Sequence, residues 1–316
     1  MPYPGPINNH EGATGLLIRS LKINNFYLMV DDFSVNQKQD IEINQNFVQG
    51  GPGAAISNIG AKRFEGSLTC PLRVDRNGNL DPAVKELLKH AESPMTALRI
   101  DTNHVASHYG ITAGSVPTIN NELLSLDCVL IKNLKISCSP DDEYVKLTAD
   151  FVGMIDGRIN LEYVAPSDAT YLKRALSWLD LDAYREESQM RSLSGFSINI
   201  ENQSETHAFL MPINTAAFQR NDQIQFIGVK GTKWTGEMNE VMRRGLELHQ
   251  HIHGGWMVNE NLTFKLGKLQ ITFHHPLFNI SDVPLSAKIL KRTTSWTKIQ
   301  VPNEPMTAGG LFTFNE

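Results

Sequence analysis

The chain has 316 residues, of which 41% are hydrophobic and 20% charged, a composition that excludes wholesale disorder and can fill one large core or two ordinary ones. Its 29 basic and 34 acidic residues leave a formal net charge of -5. That excludes a basic footprint for gripping nucleic acid and suits a surface past which a polyanion slides without sticking.

The N-terminus, Met1 to Gly15, is rich in Pro, Gly and Asn and lacks an apolar run, so it does not read as a signal peptide. No stretch approaches the length of a membrane span, and a soluble protein is expected. Cys70, Cys128 and Cys138 form no CxxC pair. They suit a reduced, cytoplasmic setting in which all three pack as small apolar groups.

In chain order, Asn36 to Gly60, with Gly50-Gly51-Pro52-Gly53, is too polar and Gly/Pro-rich for a core strand and reads as a long loop. Asp81-Pro82 supplies an N-cap and a first-turn proline. Val84, Leu87, Leu88 and Ala91 then share a helical face until Ser93-Pro94 ends the run. Leu134–Cys138 and a strand carrying Val145, Leu147, Ala149 and Phe151 flank Ser139-Pro140-Asp141-Asp142, which predicts a hairpin. The stripe Tyr171, Leu172, Ala175, Leu176 and Leu179 predicts a connector helix from about Ser167 to Tyr184.

Phe196, Ile198 and Ile200 alternate with polar residues as a strand, and Pro212 to Asp222 reads as a second polar loop. Met238, Val241, Met242, Gly245 and Leu248 predict a helix starting near Glu237. Leu262, Phe264 and Leu266, then Leu269, Ile271 and Phe273, form two alternating strands around Gly267. Leu311, Phe312 and Phe314 would be stranded at a free end unless a partner covers them.

A local echo links the halves. Ile59-Gly60-Ala61-Lys62 followed by Phe64-Glu65-Gly66-Ser67 resembles Ile227-Gly228-Val229-Lys230 followed, after two extra residues, by Trp234-Thr235-Gly236-Glu237. Each element follows a long polar stretch and precedes a predicted helix and a strand hairpin, which argues for internal duplication.

Candidates for chemistry are weak. His249, His251, His253, His274 and His275 lack a completing Cys or carboxylate pattern, and Gly254-Gly255 marks the first three as a helix end. Gly51-x-Gly53 lacks the third glycine and the Lys-Ser/Thr of a phosphate loop. Asp141, Asp142 and Glu143 read as a solvated hairpin tip, and Arg243-Arg244 and Lys291-Arg292 as solvated basic pairs. No Ser lies in GxSxG. No catalytic, cofactor or metal residues are expected.

The arrangement of Ile59–Ser67, the Asp81–Glu92 helix and the Leu134–Val152 hairpin, repeated as Ile227–Glu237, a helix through Leu248 and Leu262–Phe273, resembles the tail tube proteins of tailed bacteriophages and related tube-forming proteins of contractile machines. The resemblance implies an α+β, mainly antiparallel β fold: two tandem tube-like β-sandwich or barrel domains, each with a flanking helix. The implied division is an N-terminal arm (1–15), a first domain (16–165), a connector helix (166–190), a second domain (191–298) and a C-terminal arm (299–316).

It further implies a structural virion protein of the phage tail, assembled in the host cytoplasm, with three chains per pseudo-sixfold ring and rings stacked into a tube. Partners would be other copies, the tape-measure protein and translocating DNA without sequence specificity. A contractile sheath around the tube is left open. Inter-subunit contacts would come from Gln45, Phe47, Gly50, Gly51, Pro52 and Gly53 in the first loop and Ile213, Phe218 and Arg220 in the second. The lumen would be lined by Lys146, Thr148, Asp150, Thr263 and Lys265, or by their apolar alternates on the opposite strand face. Competing readings are a baseplate hub or tube cap with paired tube domains, a metalloenzyme using His249 to His275, and a carbohydrate-binding β-sandwich presenting Trp234, Trp256 or Trp296.

Overall fold

Alternation of apolar and polar side chains governs most of the described strands. A computed structural model describes residues 11–44, 55–94, 98–110, 119–155, 173–210, 223–241, 261–274, 276–280, 291–299 and 311–315. The first half contributes β1 (Glu11–Ile23), β2 (Phe26–Leu28), β3 (Asp32–Asn44), β4 (Ala55–Pro71), β5 (Arg73–Val74), α1 (Pro82–Glu92), β6 (Ile100–Gly110), β7 (Ile119–Cys138) and β8 (Lys146–Ile155). The second contributes β9 (Arg174–Ala175), β10 (Leu181–Arg185), β11 (Ser188–Gln189), β12 (Leu193–Leu210), β13 (Gln223–Val241), β14 (Leu262–Leu266), β15 (Leu269–Phe273), β16 (Leu277–Ile280), β17 (Lys291–Ile299) and β18 (Phe312–Phe314). Every strand pair is antiparallel. The class is therefore α+β, mainly antiparallel β, with one α-helix among the described residues.

Strand β7 is the corner of the main sheet. Its first part, from Ile119 to Leu126, pairs with β6, and its last part pairs with β8 and β12. Between them the register slips, and Cys128 takes a φ of 50°. A bulge with one left-handed residue bends a strand and lets it pass from one layer to another. One path through the sheet then reads β16-β17-β13-β12-β7-β8-β4-β3, and a second leaves β7 as β6-β1-β2. A separate five-stranded sheet runs β11-β10-β14-β15-β18.

The inward face of the long path is covered by α1 and by the five-stranded sheet. Helix α1 begins as its sequence predicts: the Asp81 carboxylate accepts from Ala83 N at 3.0 Å, and Ser93 N closes the last turn on Lys89 O. Its buried face carries Val84, Leu87, Leu88 and Ala91 and rests on β7, β1, β2 and β12. The five-stranded sheet presses Phe264 against Phe196 and Trp296, with ring centroids 5.1 and 5.7 Å apart, and Phe273 edges onto Trp296 at 5.6 Å.

Several expectations are corrected. Residues 173–184 form β9, a 3₁₀ turn at Trp178–Asp180 and β10, where a connector helix was expected. Leu176 spends its backbone on Leu72 and Val145, at 2.8 and 2.7 Å. Asp180 fixes the turn by accepting from Ser177 N at 2.8 Å and from the Arg174 guanidinium at 2.7 and 2.9 Å, and that guanidinium holds its carboxyl down at about 2. Glu237–Val241 is the end of β13, where a helix was expected to begin.

The polar stretches 36–44 and 55–60 are strand, because they pair with each other along the β3–β4 hairpin and a two-stranded projection needs no apolar run. Leu311 and Phe312 are buried within their own chain, with β18 paired to β15, so no partner is needed to cover them. Cys70 and Cys138 are buried, which pushes the Cys70 thiol up and the Cys138 thiol to about 11, whereas Cys128 is exposed.

Candidate functional site: a repeated four-strand unit with two open edges

Two rows of directly opposed residues cross the main sheet. In the first half Ile131 (β7), Phe151 (β8), Gly66 (β4) and Val35 (β3) lie side by side. In the second, Phe278 (β16), Trp296 (β17), Gly236 (β13) and Ile198 (β12) do the same. Each row sets an aromatic ring over a glycine. A Cβ on Gly66 would lie 2.5 Å from Phe151 Cζ, and one on Gly236 would lie 1.9 Å from Trp296 Cζ2. Only hydrogen leaves room for the rings.

The same irregularity follows each row. Ile41 opposes Ile59 after a register shift, and Ser204 opposes Val229 after a register shift. Counted from the rows, both pairs stand six residues along the first strand and seven back along the second. The four strands β7-β8-β4-β3 thus recur as β16-β17-β13-β12. This makes Val229 the equivalent of Ile59 and Thr232 that of Lys62, so the Ile-Gly-x-Lys echo is out of step by two residues and needs no insertion. What corresponds structurally is Phe64-Glu65-Gly66 and Trp234-Thr235-Gly236. The counterpart of the β7–β8 hairpin is β16–β17, where Leu262–Phe273 was expected.

The two units meet where β12 pairs with β7, from Phe196 opposite Cys138 to Glu201 opposite Asn133. A buried amide locks this junction. Asn202 Nδ2 donates to Ile131 O at 2.9 Å and to Ala91 O, at the end of α1, at 3.1 Å, while its Oδ1 accepts from Thr232 Oγ1 at 2.7 Å. Asn202→Leu keeps the volume but strands two carbonyls and a hydroxyl. A loss of about 2 kcal/mol is expected in urea unfolding, with no change if the amide merely fills space.

The long path is open at both ends, while the branch β6-β1-β2 ends separately at the three-residue β2. Among the described residues β3 pairs with β4 alone and β16 with β17 alone. By register Leu277 corresponds to Leu130, since Leu277 opposes Thr297 and Leu130 opposes Val152, each one residue from its row. Leu130 is 4% exposed; Leu277, with no strand beyond it among the described residues, is 65% exposed. The edge strand Leu277-Phe278-Asn279-Ile280 carries no lysine, and the one proline beside it, Pro276, precedes its first residue.

The outward face of the path is polar over most of its length, with Leu130, Val152 and Leu277 as its apolar exceptions. Lys146, Thr148 and Asp150 lie on it beside Lys135, Ser67, Ser197, Asn199, Thr235 and Ser295, all exposed or half-buried. Asn133 Nδ2 donates to Asp150 at 3.3 Å, and the Ser34 and Ser67 hydroxyls bond at 2.9 Å. Lys132, Lys135, Lys146 and Lys233 are matched by Glu65, Asp150, Glu201 and Glu237. Among the described residues these charges balance, which gives no cationic surface to hold a polyanion.

The structure brings Lys146, Thr148 and Asp150 together but puts Thr263 and Lys265 on β14 of the other sheet, where Lys265 covers the Tyr184 ring. Gln45, Phe47, Gly50, Gly51, Pro52, Gly53, Ile213, Phe218 and Arg220 lie outside the described residues, as do His249, His251, His253, His275 and Trp256. His274 Nδ1 lies 3.2 Å from Asn261 Oδ1, and no group of metal-ligating side chains occurs among the described residues. Trp234 and Trp296 are 5% and 1% exposed, which removes them as glycan platforms. Sequence reasoning missed Leu277 and β16, although Leu277, Phe278 and Ile280 after Pro276 were a readable signal. Comparison of the sequence with protein-family models gives no match, and neither does comparison with curated proteins.

Proposed function

We propose that this chain is a structural protein that assembles head to tail into rings, stacked as a tube like that of a phage tail, with the polar sheet face toward the bore. The observation that carries this reading is the β12–β7 junction. It joins one four-strand unit to the next inside a single chain. The same two strand types, β3 and β16, are left at the chain's two ends. Each copy thus holds one complete junction and two halves of another. Heterologous joining of such halves generates a ring when the rotation closes, and closure removes the edges. The charge-balanced face suits a conduit for DNA.

Negative-stain imaging and native mass measurement of the purified chain test this. Rings of a single copy number, stacking into tubes as concentration rises, are expected. A monodisperse monomer at every concentration would overturn the reading, and rings that never stack would assign the chain to a hub or cap instead.

A further inference from the structure

We infer that the contact between copies is an antiparallel pairing of β3 with the β16 of the next copy, in the register the chain already displays between β12 and β7. The inference rests on the ring-forming reading and adds to it the residues that face one another. Within the chain Glu201 stands opposite Asn133 and Ile200 opposite Leu134. The repeat makes Lys38 the counterpart of Glu201, Gln37 that of Ile200, Asn279 that of Asn133 and Ile280 that of Leu134. Lys38 of one copy therefore opposes Asn279 of the next, and Gln37 opposes Ile280.

Two further features of the sequence and structure fit a second copy as the occupant. Leu277 is 65% exposed where its counterpart Leu130, on the strand that β12 adjoins, is 4% exposed, and the strand corresponding to β12 is β3. Position 39, the counterpart of Asn202, is Gln, so β3 carries a carboxamide at the register position whose counterpart binds the Ile131 carbonyl. The counterpart of Ile131 is Phe278, on the β16 edge.

The register is read by disulfide trapping between two chains with one added cysteine each, both carrying Cys128→Ser so that only the buried Cys70 and Cys138 remain beside the added one. Lys38→Cys mixed with Asn279→Cys should give a covalent dimer under mild oxidation. The yield should be at least about tenfold that of Asn36→Cys mixed with Asn279→Cys, which is displaced by two residues and sits 7–8 Å apart on the same face. Rings in the electron microscope with equal trapping in both mixtures, or with none, would overturn the register while leaving ring formation standing. Absence of rings together with absence of trapping overturns both.

Discussion

Gly236→Ala is expected to lower stability by about 3 kcal/mol, read as a shift in the urea midpoint at unchanged slope. The added carbon would sit 1.9 Å from Trp296 Cζ2 and 2.3 Å from Cε2, well inside van der Waals contact. The indole has nowhere to go. It is 1% exposed and bounded by Phe264 on one side and Phe273 on another. Relief therefore needs a backbone shift in β13 or β17, at the centre of the second unit. The first unit shows the smaller solution, a phenyl ring over Gly66, so Trp296→Phe should recover part of the loss when combined with Gly236→Ala. The two changes should be non-additive by roughly 1 kcal/mol or more, as for residues in direct contact. A Gly236→Ala protein within about 0.5 kcal/mol of the parent would show that the ring–glycine stack is loose and that the row is no structural repeat.

That stack also explains how much of the molecule is legible from sequence. Where one strand face is wholly apolar, the alternation is plain, as in Phe196, Ile198 and Ile200 or Val145 to Phe151, all buried in the fold. The Asp81-Pro82 start of α1 is equally plain, because capping is a local interaction. In β13 the inward positions are Trp234, Gly236, Met238 and Glu240. One is a glycine that makes room for a ring, and another is a carboxylate neutralised by Arg292, whose Nε lies 3.0 Å away across the β13–β17 pair. Both break the period of two, and Met238 with Val241 and Met242 then mimics helical spacing. Tertiary partners supplied by β17 decide the matter, and no local pattern contains them. The repeat itself was visible as a likeness but not in its true register, because short identities cannot locate a bulge.

Leu277→Glu is expected to abolish assembly while leaving the fold intact. In the single chain this side chain is 65% exposed, so a carboxylate there stays in water, and the unfolding midpoint should move by no more than about 0.5 kcal/mol. Burying a leucine contributes about 1.5–3 kcal/mol, and losing that at every joint raises the concentration needed for rings at least about tenfold. Placing a charge at the closed joint costs more still. The repeat supplies its own control, for Leu130→Glu makes the same change at the corresponding position of β7, where the residue is already 4% exposed in the single chain. There the damage should fall on folding. Rings formed by Leu277→Glu at the parent concentration would exclude β16 as the interface. A folding loss equal to that of Leu130→Glu would mean the edge is covered within the chain itself. On the proposed assembly one substitution thus has two different consequences, because one of two equivalent joints is closed within the chain and the other would be closed by a second copy.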